Sequence, residues 1–206
     1  LIQVVNNSGN VTTMSYDWLS HKKSMTDPDM GSWSYTYDNN GNLKTQTDAK
    51  NNTITFSYDA LNRLTGKSYP QGSGMTNVSY TYDNTTGGNY GKGRRTGMAD
   101  AIGFTSYKYD ARGRLVGENR TIESVNYTTQ FAYDGAGRLT NIIYPTGENV
   151  TQGYNQRGLV YSVSGTTAGN LVTSTLYNAL GLPTEINLNN GLKTTFGYWG
   201  TGGTYD

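Results

Sequence analysis

The 206 residues contain no cysteine and a single histidine, His21. Without thiols, disulfides, thiol catalysis and Cys-ligated zinc are excluded together. A Ser-His-Asp triad would have to pass through His21. That residue sits in WLSHKKS among polar neighbours with no motif around it, and reads as a loop or solvent-facing side chain. No apolar run reaches the eighteen residues of a helical membrane span. Neither sign of charge dominates: Lys+Arg 16 against Asp+Glu 15 gives a net +1, which leaves no electrostatic footprint for DNA or RNA. The basic cluster of Lys92, Arg94 and Arg95 reads as a solvated loop. The opening LIQVVNNSGN is too short and polar for a signal peptide. GNYGKGRR and YWGTGGTYD lack the strand–loop–helix setting of a phosphate loop. No EF-hand or nonapeptide calcium pattern occurs. The sequence therefore calls for no cofactor and no metal.

Only 34% of residues are hydrophobic and 15% charged, yet the chain holds 18 Tyr and 27 Gly. Disordered chains lack aromatic and β-branched residues. Here Tyr, Thr, Val and Ile are plentiful, and they suit a half-buried pleated surface. No segment sustains an apolar 3.6-residue period with caps, so no significant helix is expected.

The chain repeats on Tyr-Asp: Tyr16-Asp17, Tyr37-Asp38, Tyr58-Asp59, Tyr82-Asp83, Tyr109-Asp110 and Tyr133-Asp134, followed by degenerate copies at Tyr154-Asn155, Tyr177-Asn178 and Tyr198-Trp199. Such spacing belongs to repeat architectures. An aromatic residue stands two positions before many of these tyrosines: Tyr35, Phe56, Tyr80, Tyr107, Phe131 and Phe196. Residues i and i+2 share a strand face, so each repeat lays two rings on one face, expected to be packed, and polar residues on the other. After each pair comes Asp-x-x-Gly, with turn glycines at Gly41, Gly113, Gly137, Gly158 and Gly181 and Asn62 in the same place. Asp starts a type I turn and accepts a hydrogen bond from the N–H two residues on; Gly closes a bulged hairpin. A second strand follows, led by Leu43, Leu64, Leu115 or Leu139, after a basic residue such as Arg63, Arg114 or Arg138. A second turn carries Gly72, Gly147 or Gly191. The insertion 84–92 reads as a longer surface loop. Across 20–30 the first repeat lacks its Gly and Leu, and the register is expected to break there.

These residues resemble the YD repeat of Rhs proteins. The copies that carry the likeness are YDALNRLTGKSYPQG from Tyr58, YDARGRLVGE from Tyr109 and YDGAGRLTNIIYPTG from Tyr133. The family includes Rhs polymorphic toxins, cocoon-forming subunits of Tc toxins, and teneurins. The resemblance implies an all-β fold of repetitive antiparallel hairpins in a curved or spiralling, shell-like strip. It implies one array of about nine repeats over residues 1–206, a segment of a longer repeat protein from a secreted or cell-surface setting. Family self-cleavage belongs to a C-terminal core whose signature these residues lack, so no catalytic residue carries over.

A carboxylate that recurs at every turn is not what a single active site requires, so the Asp set reads as turn-forming. The expected role is non-enzymatic: a scaffold wall enclosing a toxin or other cargo. The other reading is an extracellular filament or an adhesin and carbohydrate-binding module, using off-pattern aromatics at Trp18, Trp33, Tyr90, Tyr161 and Trp199. Expected partners are further repeats or identical subunits through strand edges, an enclosed effector, or surface glycans.

Overall fold

The computed structural model describes residues 2–198. Its strands are β1 (Gln3–Val5), β2 (Val11–Tyr16), β3 (Lys22–Asp27), β4 (Gly31–Tyr37), β5 (Leu43–Thr47), β6 (Thr53–Tyr58), β7 (Leu64–Ser68), β8 (Val78–Tyr82), β9 (Arg95–Ala99), β10 (Gly103–Tyr109), β11 (Leu115–Ile122), β12 (Val125–Tyr133), β13 (Leu139–Ile143), β14 (Asn149–Tyr154), β15 (Val160–Gly165), β16 (Gly169–Tyr177), β17 (Pro183–Leu188) and β18 (Lys193–Thr195). They form an all-β antiparallel sheet. The helical content of the described residues is one 3₁₀ turn, Thr86–Gly88, inside the 84–92 insertion.

The chain divides into two units. The first holds residues 1–106 with 120–125; the second holds 107–119 with 126–206. In the first, β1 to β9 each pair with the next strand, and β10 adds to β9. In the second, β12 to β18 do the same. Two kinds of turn alternate. At the Tyr-Asp hairpins the register shifts by one residue just before the tyrosine, as between Thr36 and Tyr37, Ser57 and Tyr58, or Ala132 and Tyr133. This is a β-bulge, and it lets the turn residue with positive φ close the hairpin. Of the hairpins between repeats, β5–β6 and β13–β14 keep an unbroken register, while β15–β16 shifts between Val163 and Ser164.

The expected alternation of faces is clear in β4, where Trp33, Tyr35 and Tyr37 are half-buried and Ser34 and Thr36 exposed. The expectation of a packed aromatic face is corrected. Among the described residues no hydrophobic side chain is buried. The rings lie on a sheet face and gain shelter from lateral neighbours. Lys22 lies over Tyr35 at 4.4 Å from the ring centre, and Arg95 over Tyr80 at 5.5 Å. The buried polar side chains are Thr96, Thr105 and Thr175. Thr105 accepts a hydrogen bond from Arg120 Nη1 at 2.8 Å, and Arg120 also pairs with Asp100 at 2.9 Å.

The first repeat does not lose its register. Ser20 takes the glycine position with φ +67°, and its N–H donates to the Asp17 carbonyl. Lys22 takes the place of the leading leucine and pairs across from Tyr16. The Asp17 cap and the Lys22 pairing hold Ser20 in the conformation that glycine takes in other turns.

The β11–β12 hairpin turns through Glu123 and Ser124, with φ +47° and +68°. Both lack the features that ease this conformation, and Asn-Gly is the favoured pair there. Replacing Glu123→Asn and Ser124→Gly together is expected to stabilise the fold by about 1 kcal/mol through relief of the left-handed backbone, a rise of roughly 2–4 °C in thermal midpoint. An unchanged or lower midpoint in a melting experiment would show that the turn is not strained.

Candidate functional site: the Tyr-Asp edge

The Tyr-Asp turns share one design. In the turn from Asp59, the Asp59 Oδ1 accepts from the N–H of Leu61 at 2.9 Å and of Arg63 at 3.0 Å. The Asp59 N–H donates to the Arg63 carbonyl, and the Asn62 N–H to the Asp59 carbonyl. Oδ2 is left for the side chain four residues on: Arg63 Nε donates to it at 2.7 Å. Asp110 with Arg114 and Asp134 with Arg138 repeat this arrangement. Asp38 does so with Asn42. At Asp17 the partner is His21, whose Nδ1 lies 3.0 Å from Oδ2. His21 is therefore a member of the motif, against the expectation that it stands outside it.

The residue four positions on also reaches the next repeat. The Arg63 guanidinium lies 4.3 Å from the Tyr82 ring centre and donates twice to Asp83, at 3.1 and 2.6 Å. Arg114 covers Tyr133 and Arg138 covers Tyr154, each at 4.6 Å. His21 stacks on Tyr37 at 4.6 Å, with 21° between the planes. The turn glycine leaves room for this incoming side chain. A Cβ on Gly41 would lie 3.1 Å from His21 Nε2, and one on Gly158 would lie 3.2 Å from Arg138 Nη1. Gly41, Gly113, Gly137, Gly158 and Gly181 all have φ between +77° and +86°.

The motif tyrosines send their hydroxyls back to the preceding returning strand. Tyr58 donates to the Leu43 carbonyl at 3.0 Å, Tyr82 to Leu64 at 2.7 Å, Tyr133 to Leu115 at 2.8 Å and Tyr154 to Leu139 at 2.6 Å. Tyr37 reaches Lys22, Tyr177 reaches Val160 and Tyr198 reaches Pro183. Tyr16 instead lies against Met14 Sδ at 3.6 Å. Tyr109 falls within β10, at its last residue. The ring thus sits under a side chain from one repeat and anchors by its hydroxyl to that repeat's backbone.

Two later turns change charge as a pair. Asn155 stands with Leu159 and Asn178 with Leu182, so carboxylate and cation are lost together. Their side-chain oxygens still accept the two turn N–H groups. Arg157 reaches forward to the carbonyls of Asn178 and Ala179, at 2.8 and 2.9 Å.

The carboxylates are committed acceptors. Hydrogen bonds from the Arg63, Arg114 and Arg138 backbones, helped by the same guanidiniums, hold Asp59, Asp110 and Asp134 below the usual carboxylate range. At Asp83 the Arg63 side chain is the main cause, and at Asp38 the Asn42 side chain. A general acid at neutral pH needs the opposite direction. Among the described residues no three His, Asp or Glu side chains converge on a possible metal position.

The off-pattern aromatics are scattered. Trp18 is 90% exposed at the tip of the first Tyr-Asp turn, Tyr90 56% on the insertion and Tyr161 44% on β15. Trp33 is half-buried on β4, and its Nε1 donates to the Met30 carbonyl at 3.1 Å. Trp199 lies outside the described residues. The function of the basic residue was missed in the sequence, although its recurrence four places after Asp was visible at Arg63, Arg114 and Arg138.

Residues 37–73 match the family model described as RHS Repeat. A curated relative, tRNA nuclease WapA of Bacillus subtilis (strain 168), is 29% identical over 198 residues, covering 77% of this chain and 8% of that protein. Among solved structures, TcdB2-TccC3 superimposes with a TM-score of 0.73 at 15% identity, over 95% of this chain and 13% of that one. A Photorhabdus luminescens Tc holotoxin pore gives 0.70 at 15%, over 95% and 12%. These structures share the fold, and the chain spans only a small part of each relative's length.

Loss of one hydroxyl anchor is expected to cost about 1 kcal/mol. Tyr133→Phe and Tyr154→Phe should each show this in denaturant unfolding. Tyr161→Phe, at an exposed position, should stay within about 0.5 kcal/mol of the parent. Equal effects at all three positions would contradict the assigned role of the hydroxyls.

Proposed function

We propose that this chain, a member of the YD/Rhs-repeat family, is a non-enzymatic stretch of repeat wall in a secreted or cell-surface protein, and that the wall encloses a toxin or other cargo. The observation that carries this reading is the directional link between repeats. Every covered tyrosine ties its strand to the repeat before it, and every Arg, His or Asn four places after Asp reaches toward the one after. Such a unit extends by addition, as quasi-one-dimensional repeat proteins do. The committed carboxylates support a structural role over a hydrolytic one. The likeness to TcdB2-TccC3 supports a toxin setting, and the match to part of a tRNA nuclease supports a parent protein that carries an activity elsewhere. On this reading residues 1–206 are one array of about nine repeats within a longer chain.

Trp18 favours a second reading. A tryptophan 90% exposed at a turn tip is an unusual surface residue, and an adhesin would use it as an anchor.

Electron microscopy of the intact protein tests the first reading. The expected image is a hollow, β-walled particle whose interior density resists added protease until the wall is unfolded. An open filament, or a cargo digested as fast as free protein, would overturn it. Glycan binding abolished by Trp18→Ala would instead establish the second.

A further inference from the structure

Beyond the turns of Asp17 with His21 and Asp38 with Asn42, the Tyr-Asp edge contains two chemically different kinds of joint. Through Asp59, Asp83, Asp110 and Asp134, an ionised carboxylate meets a guanidinium that spans to the next repeat. From Asn155 onward the same positions hold Asn with Leu. The replacement preserves geometry. A Cβ on Gly181 would lie 3.8 Å from Leu159 Cδ1, so Leu159 occupies the space by the next turn glycine that Arg138 occupies beside Gly158. Tyr177 and Tyr198 keep their hydroxyl anchors. What differs is only what a proton can disturb.

We propose that the array is built with an acid-labile stretch, over the turns at 59–63, 83–94, 110–114 and 134–138, joined in sequence to an acid-resistant stretch over the turns at 155–159 and 178–182. Acid then loosens the wall locally and does not melt it as one body. This goes beyond the wall reading and stands on the joint geometry alone, so it survives or fails whatever the wall encloses.

The groups facing these carboxylates make the direction clear. Asp59 and Asp83 share Arg63, with Tyr82 beneath it and Lys92 beside Asp83. Asp110 faces Arg114 and has Arg112 in its own turn. Asp134 faces Arg138, while Arg114 donates to its carbonyl. No acidic group opposes them within these joints except Asp83, which Arg63 neutralises. Their folded-state values lie below the unfolded one. The stabilisation is therefore complete above the unfolded Asp value of about 3.9 and is lost as pH falls through the lower folded value. A protonated carboxyl can still cap its turn through the carbonyl oxygen but no longer pairs with arginine. In the resistant stretch the edge holds Asn155, Asn178 and the permanently charged Arg157, with Arg138 of the preceding turn arriving over Tyr154 beside Gly158. Glu148 and Glu185 are also held below the usual carboxylate range by their hydrogen bonds, but neither caps one of these turns: Glu148 holds the 166–168 loop, and Glu185, opposite Leu176, pairs with Lys193 across β17 and β18.

Hydrogen exchange on the intact protein, read per residue at pH 7 and at about pH 3 with intrinsic rates corrected, tests this. The reporting amides close each hairpin: Asp59, Asp110 and Asp134 against Asn155 and Asn178. Protection at the Asp amides is expected to fall several-fold on acidification, up to about ninefold for one carboxylate with an unfolded value of about 3.9, while the Asn amides change less than about twofold. The double variant Asp134→Asn with Arg138→Leu should make its own turn resistant, and Asn155→Asp with Leu159→Arg should make that turn labile. Uniform loss of protection at all five amides, or no transfer of acid sensitivity by these exchanges, would overturn the proposal.

Discussion

Among the described residues no hydrophobic side chain is buried, and the rest of the fold depends on that constraint. A sheet whose aromatic face is only half-buried cannot hold a hairpin by burial alone, and an isolated two-stranded hairpin is marginal in water. Each repeat must be secured by its neighbours. The interaction that does this is the tyrosine clamp: ring under the preceding repeat's basic side chain, hydroxyl on the preceding repeat's carbonyl. A hydrogen bond of this kind contributes about 1 kcal/mol and an exposed cation–π contact about 0.5–1 kcal/mol. Neither is large, but the hydroxyl anchor recurs at Tyr37, Tyr58, Tyr82, Tyr133, Tyr154, Tyr177 and Tyr198, and the covering side chain at Tyr37, Tyr82, Tyr133 and Tyr154.

The clamp explains features that look separate. A bulge before the tyrosine accompanies the positive-φ residue that closes the turn. Glycine at that residue satisfies φ and clears space for the arriving cation. Aspartate caps its own hairpin with one oxygen and holds the cation with the other. Where the cation gives way to leucine, the carboxylate gives way to asparagine, whose side-chain oxygen still accepts the two turn N–H groups. On the opposite edge Glu148 does comparable work, accepting from the N–H groups of Thr167 and Ala168 and filling space that a Cβ on Gly165 would need.

The sequence made strands, turns and their alternation legible, since period-two aromatics and Asp-x-x-Gly spacing are local signals. The role of Arg63 was not legible, because its partners Tyr82 and Asp83 are some twenty residues away and only pairing brings them together. His21 and Ser20 were misread for a related reason. Each differs from the commonest residue at its position, and only the shared offset from Asp17 reveals the equivalence. The shallow burial of Tyr35 or Phe56 could not be read either, because alternation tells which face a ring occupies and not whether anything covers it.

The central claim is that stability is passed between repeats and does not reside within them. Unfolding of nested fragments containing one, two, three and four successive repeats measures this most directly. A single repeat is expected to be unfolded, with stability and cooperativity rising at each addition as the number of clamps rises. A single repeat that folds alone, with no gain from its neighbours, would contradict the account.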